Sequence, residues 1–470
     1  METYVSQSID SQWLASQIPS PASEAIAVAV AELIRAGDIA PGARLPTVRD
    51  FAGALGASAG TVAAAWSNLR GRGLIETRRR GGTVVCATVG HRAADPADTH
   101  SLGLAPRHWL QATEHSWSAT DLSRGSADPA LQPDLAPALA AGLQVSHLHA
   151  AEKDHLIEPL RVAVAATWPG GAEDWTTAGG GTEGMLLALQ ATTRPGDRVA
   201  IEHPTSPRLL GLLELLKVEA IALACDQQGP LPEALQAALA HAPSVVLYQL
   251  RAQLPSGSAL TAERRDALAQ VLERHPDVVI LEDDHMGTVS TASAHSMSER
   301  LPQRTLLVRA YCRAFGVDLR TSVLGGAARI IQAIEAYRSD RVAMTSRIFQ
   351  GALAWLLSDP GAVATLERAR RTYAWRRHAL AQALIEQGLH VEKGSGLTLW
   401  LPVADETAAI VSLASQGVVL GSGSHCFIGS GHPAGLRVAI SRLPDDLGKI
   451  NELAQLITNG VKRPRHEDFD

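Results

Sequence analysis

Five arginines, Arg70, Arg72, Arg78, Arg79 and Arg80, fall within eleven residues. A guanidinium keeps its proton in any protein environment and offers a planar fork of donors, so such a run suits phosphate binding rather than proton transfer. The same chemistry applies to Arg313, in the stretch Tyr311-Cys-Arg-Ala-Phe-Gly316: it can hold an anion, and it cannot attack an aldehyde as an amine would. Gly179, Gly180, Gly181 and Thr182 precede a helical run, where backbone N–H groups can cradle a phosphate; a tight turn is the other use of such glycines. Asp283 and Asp284 close an apolar strand-like run, where an acid can cap a helix or face a cation. His203, His285, Cys312, His425 and Cys426 have no ligand spacing, so no metal site is expected. The four cysteines, Cys86, Cys225, Cys312 and Cys426, form no CxxC pair and read as reduced thiols.

The chain that must position these groups has 470 residues, 46% of them hydrophobic, enough for two or three domains with sizeable cores. No run of eighteen apolar residues occurs, and the first ten residues lack the basic and apolar regions of a signal peptide. The expectation is a cytoplasmic protein with no membrane partner. Net charge is −6, yet residues 21–86 hold eight Arg and no Lys against five acids, a local excess of three positive charges. A basic edge on an acidic chain is what a small DNA-binding module shows.

Ile26, Val30, Leu33 and Ile34 recur at helical spacing after Ser23, a candidate cap. Thr47 caps a second helix that buries Phe51 and Leu55 and closes at Gly56. Ser58 caps a third, with Val62, Trp66 and Leu69 buried and Ser58, Ala59, Gly60, Thr61 and Ala63 facing outward at its start. Two short strands around Arg80-Gly81-Gly82 follow, a basic hairpin after a helix-turn-helix. The whole string from Leu45 to Val84 resembles the GntR-type winged helix. That resemblance implies double-stranded DNA as partner and Thr47, Arg49, Ser58, Thr61, Arg78, Arg79, Arg80 and Gly82 as the contact residues. Ala59 stands where the family often has a base-reading Arg.

After a linker, residues 87–120, strand-like runs at 199–201, 245–248, 278–281 and 305–308 alternate with helical stretches, the signature of an α/β domain with a mostly parallel sheet. Landmarks from Ala178-Gly-Gly-Gly-Thr182 through Leu281-Glu-Asp-Asp-His285 to Gly435-Leu-Arg-Val-Ala-Ile440 are similar, in order, to fold-type I aminotransferases, which hold pyridoxal phosphate on a lysine. With the winged helix, the arrangement resembles the MocR subfamily of transcription regulators. The resemblance implies a winged-helix domain at 1–86, an aminotransferase-like effector-binding and dimerisation domain at 121–460 with a smaller C-terminal α+β subdomain, and a homodimer; the Lys-Arg-Pro-Arg run followed by acids reads as a disordered tail at 461–470.

By that resemblance Arg313 occupies the Schiff-base lysine's position, Leu254 replaces an Asn, His285 a Tyr, Ser206 a ring-stacking aromatic and Ala310 a hydroxyl residue. Asp283, facing the pyridine nitrogen, the phosphate cup of Gly180, Gly181, Thr182 and Arg320, and Arg437 for a carboxylate are retained. None of the five lysines, Lys153, Lys217, Lys393, Lys449 and Lys462, lies in a landmark segment. The implied reading is a regulator with no catalytic residue and no covalent cofactor, pyridoxal phosphate being disfavoured by Arg313. An anionic small molecule is expected in the pocket of Gly180, Gly181, Thr182, Ser206, Asp283, His285, Arg313, Arg320 and Arg437. Two rivals stay open: a pyridoxal-phosphate aminotransferase carrying a DNA-binding domain, and a constitutive DNA-binding dimer with no effector.

Overall fold

Helical spacing of apolar residues builds the N-terminal elements of the computed structural model, which describes residues 8–36, 38–40, 42–71, 74–78, 82–85, 120–151, 155–339 and 344–462. The chain divides into two compact units, Met1–Asp98 and Thr99–Asp470. In the first, α1 (Ser11–Ser16), α2 (Ser23–Ala36), α3 (Val48–Leu55) and α4 (Ala59–Gly71) enclose one core, with Phe51 stacked on Trp66 at 5.2 Å between ring centroids. The helix expected to be third is therefore the fourth, because Asp10 caps an additional short helix that buries Leu14. Ser23 lies inside α2, whose first hydrogen bond is accepted by the carbonyl of Ala22 (3.0 Å).

Strands β1 (Ile75–Arg78) and β2 (Gly82–Val85) pair antiparallel, Arg78 opposite Gly82. Residues 43–45 add a third, irregular strand: Leu45 N–H donates to Thr83 and Val85 N–H to Ala43, both at 2.9 Å.

In the second unit an eight-stranded sheet has the order β4-β11-β10-β9-β8-β5-β6-β7. The strands are β4 (Asp174–Ala178), β5 (Arg198–His203), β6 (Glu219–Asp226), β7 (Gly229–Pro230), β8 (Val245–Gln249), β9 (Val279–Asp284), β10 (Thr305–Ala310) and β11 (Ser322–Gly326). Neighbours from β10 through β9, β8 and β5 to β6 are parallel; β11 runs antiparallel to β10 and to the edge strand β4, and β7 at the other edge is antiparallel to β6. Every residue of β8, β9 and β10 is buried, which is why they read as nearly continuous apolar runs: helical layers cover both faces. Alternation sends Ile280 to one core cluster and Val279 and Leu281 to the other.

A second sheet, β12-β14-β13-β3, builds the smaller subdomain from β12 (Thr398–Pro402), β13 (Val418–Ser422), β14 (Gly435–Ala439) and β3 (Thr120–Leu122). Thr120 is thus strand rather than linker, and the last helix, Leu447–Lys462, runs two residues into the stretch expected as tail. The linker at 87–119 and the tail from 463 lie outside the described residues. No helix among the described residues is long and apolar enough to cross a membrane.

Candidate functional site

The small unit presents its outward groups on α3, α4 and the hairpin. Thr47 accepts from Asp50 N–H (3.2 Å) and donates to the Asp50 carboxylate (2.7 Å), so its hydroxyl holds the start of α3. Gly56 at φ +68° ends α3 and swings the chain into α4, where Ser58 Oγ accepts from Thr61 N–H (3.0 Å) and pairs with Thr61 Oγ1 (2.8 Å). Ser58, Ala59, Gly60 and Ala63 are exposed and Thr61 half-buried, leaving the first turn of α4 open to a groove; Arg49 is exposed on α3.

Gly82 sits at φ +72°, and a Cβ there would lie 2.7 Å from Arg44 Nε, so the glycine seats the Arg44 guanidinium on the hairpin. Arg44 was not anticipated from sequence, since a lone Arg before Leu45 carries no motif. Arg70 on α4 likewise reaches the hairpin, donating to Thr77 Oγ1 (3.3 Å). Arg79 and Arg80 lie outside the described residues, and of Arg78 the backbone alone is described.

In the large unit, three consecutive acids end β9, and each is buried. Glu282 and Asp284 face one side of the sheet and Asp283 the other. Asp284 receives Arg251 through two bonds at 2.9 Å and Arg309 at 2.7 Å, so two guanidinia hold its carboxyl below the usual range against the effect of burial. It also accepts from Gly287 N–H (3.2 Å), as a cap would. Asp283 pairs with Arg208, in the first turn of helix Pro207–Leu215. Its Oδ1 has no partner among the described residues, and burial raises its pKa despite Arg208 and Arg313.

Arg208 is the site residue that sequence reasoning missed. The acid expected to be free to face a ligand nitrogen is already engaged by a guanidinium from 75 residues upstream.

Arg313 follows β10 on a four-residue helical turn, Cys312–Phe315, and donates to the His285 carbonyl (3.3 Å), while its Nε has no partner among the described residues. Burial lowers its pKa, and burial together with Arg313 and Arg208 holds His285 well below the usual range, hence neutral. Both line a cavity of about 10 Å³ with Gln253, Leu254, Ser395 and Thr398, room for about one water. Ser206 is buried at the start of the Arg208 helix and makes no capping bond.

At the glycine turn, Gly180 takes φ +104° and Gly181 opens helix Gly181–Thr192, where a Cβ would meet that of Ala310 at 2.9 Å. Thr182 is exposed at this N-terminus, and exposed Arg320 reaches the Gly179 carbonyl at 3.5 Å. Gly179 N–H is taken by the Glu183 carboxylate (3.0 Å), so an internal acid occupies part of the expected anion cup. Arg437 lies on β14 in the other sheet and donates to the Ser422 carbonyl (2.8 Å); it does not line the cavity of Arg313 and His285. Among the described residues no group of three or more His, Cys, Asp or Glu could hold a metal.

Deep in the same sheet, Glu202 on β5 accepts from Gln249 N–H (2.9 Å) and Nε2 (3.1 Å), its other oxygen having no partner among the described residues. Burial pushes its pKa from 4.5 to about 8. The folded chain then keeps a proton that the unfolded chain releases near pH 4.5, so this contribution to stability is full below that pH and is lost as pH rises towards about 8. Glu202→Gln is expected to flatten the fall in urea midpoint between acid and mildly alkaline pH; a wild-type slope in the variant would place the titration elsewhere.

Residues 22–85 match the family of bacterial regulatory proteins, gntR family, and residues 147–454 match aminotransferase class I and II. The vitamin B6 salvage pathway transcriptional repressor PtsJ of Salmonella typhimurium is 30% identical, over 92% of this chain and 96% of that protein. The pyridoxine biosynthesis transcriptional regulator PdxR of Corynebacterium glutamicum is 24% identical, over 90% and 91%. The kynurenine aminotransferase of Pyrococcus horikoshii superposes with a TM-score of 0.66 at 19% identity, covering 76% of this chain and 95% of that one, a likeness of fold alone.

Proposed function

The chain belongs to the MocR-type transcription regulators, a GntR helix-turn-helix joined to a class I and II aminotransferase domain, and we propose that the latter senses a small anionic molecule without a covalent cofactor. The observation that carries this reading is the trio Arg313, Arg208 and Asp283. A protonated guanidinium at the lysine's position offers no nucleophile, and the acid that would keep a pyridine nitrogen protonated already has one oxygen paired with Arg208. Leu254 and Glu183 add to the mismatch, so pyridoxal phosphate does not fit this site as a catalytic group. The surroundings still favour an anion: Arg313 and Arg320 are cationic, and the first-turn N–H groups of Gly181 and Thr182 point from a helix start.

Double-stranded DNA binds through α3, α4 and the hairpin of a homodimer in the cytoplasm. Effector binding alters the spacing of two such modules against half-sites about one helical turn, or multiples of it, apart. PtsJ and PdxR are named for vitamin B6 pathways, which makes a B6 phosphate held noncovalently one candidate among anions.

The test is spectroscopic. Pyridoxal phosphate followed by borohydride is expected to leave no phosphopyridoxyl mass on the peptide carrying Arg313, and no band at roughly 410–430 nm before reduction. A stoichiometric band that reduction fixes to one lysine would overturn the reading and restore the enzyme.

A further inference from the structure

A cavity of about 310 Å³ lies beneath the long helix Pro360–Glu386, away from Arg208 and Asp283. Its volume falls within the roughly 300–1,000 Å³ of pockets that enclose small ligands. Met286 and Val289, from the loop after β9, and Val391, before β12, give it apolar walls. Arg370 and Arg377 enter from the helix two turns apart on the same face.

Arg377 is 6% exposed. Its Nη1 donates to the Thr398 carbonyl, and its Nη2 has no acceptor among the described residues. Arg370 spends its Nη1 on Glu367 (2.9 Å) and its Nη2 on the Ser290 carbonyl (3.2 Å), and its Nε likewise has no acceptor among the described residues. Lys393 and His378 stand exposed on the lining; the one acid there, Glu392, is held by Gln227. Buried guanidinium donors without acceptors are costly, and a ligand that supplies acceptors recovers that cost.

We propose that this cavity is a binding site for a small amphipathic anion, its charged head towards Arg377 and Arg370 and its apolar body against Met286, Val289 and Val391. The site is distinct from the one at Arg313 but shares a wall with it: Met286, Ser395 and Leu397 line both cavities. An occupant moving that wall changes the surroundings of His285 and Arg313, which couples the two sites.

Calorimetric titration of the full chain tests this with phenyl phosphate as probe and benzyl alcohol and benzylamine as its neutral and cationic counterparts. Phenyl phosphate is expected to bind at least tenfold more tightly than either. Ala381→Trp, filling the cavity from a half-buried helix position, and Arg377→Met should each weaken it at least tenfold. Lys393→Glu, on an exposed position that tolerates change, should weaken it several-fold and keeps the test decisive if Arg377→Met fails to fold. Absence of binding at millimolar phenyl phosphate, or equal binding of benzyl alcohol, overturns the proposal. So does binding that survives Ala381→Trp and is lost in Arg313→Met, since the anion would then sit in the other site. The inference goes beyond the function proposed above: a borohydride-fixed cofactor would end that reading and leave this one standing.

Discussion

A chain carrying Asp284→Asn is expected to lose about 3–5 kcal/mol of large-domain stability, the usual cost of breaking a buried charge network by removing one partner. Asp284 is fully buried and is the common counter-ion of Arg251 and Arg309, at 2.9 and 2.7 Å. Asparagine keeps the shape and leaves both guanidinia without a negative charge. Arg309 is enclosed: Nη1 donates to the Thr167 carbonyl (2.9 Å) and the guanidinium lies 4.9 Å from the Trp168 ring centroid. The three charged residues stand at the ends of β8, β9 and β10, adjacent strands that carry Asp283, His285 and Arg313 beside them, so the network is also the support of the candidate site. Urea unfolding followed by tryptophan fluorescence measures the loss, with Trp168 as a local reporter. A change below about 1 kcal/mol would mean that water reaches the guanidinia, as at an exposed ion pair.

What the sequence made legible follows from how locally each feature is encoded. Thr47, Gly56 and Ser58 are cap signals that act within three or four residues, and the structure uses each where it stands. The six residues of α1 bury only Leu14, too little to leave a period. The parallel sheet was readable because buried central strands are apolar along their length, whereas its strand order depends on crossovers that no short run encodes. Arg208 was hidden for the same reason: an Arg in a first helical turn looks solvated until the fold brings Asp283 to it. Glu183 is similar, since an acid near a helix start reads as dipole compensation, and only the turn at Gly180 delivers Gly179 N–H to it. Arg437 could be matched to a carboxylate-binding role by resemblance, yet its bond to Ser422 and its place in the second sheet follow from tertiary structure alone.

The other large effect is expected on DNA affinity. Arg49→Glu should weaken binding of the full chain to an operator duplex by roughly two orders of magnitude near physiological salt, and make the log-affinity against log-salt plot shallower by about one to two. Arg49 is exposed on the first turn of α3, where a phosphate contact would fix the register of the recognition helix. Reversing its charge is mild for folding, because an acid is favourable at a helix N-terminus, so lost affinity is not explained by lost structure. Arg44→Ala should act in the same sense and more weakly, about tenfold, because its guanidinium is seated on Gly82, beside the hairpin turn. Neither variant should change which base pairs are preferred, since phosphate contacts carry no sequence information; Thr61→Ala, on α4, should alter preference more than affinity. Fluorescence anisotropy across a salt series separates these outcomes. An Arg49→Glu chain within about threefold of wild type at every salt concentration would move the DNA interface off α3 and, with it, the orientation assigned to the whole module.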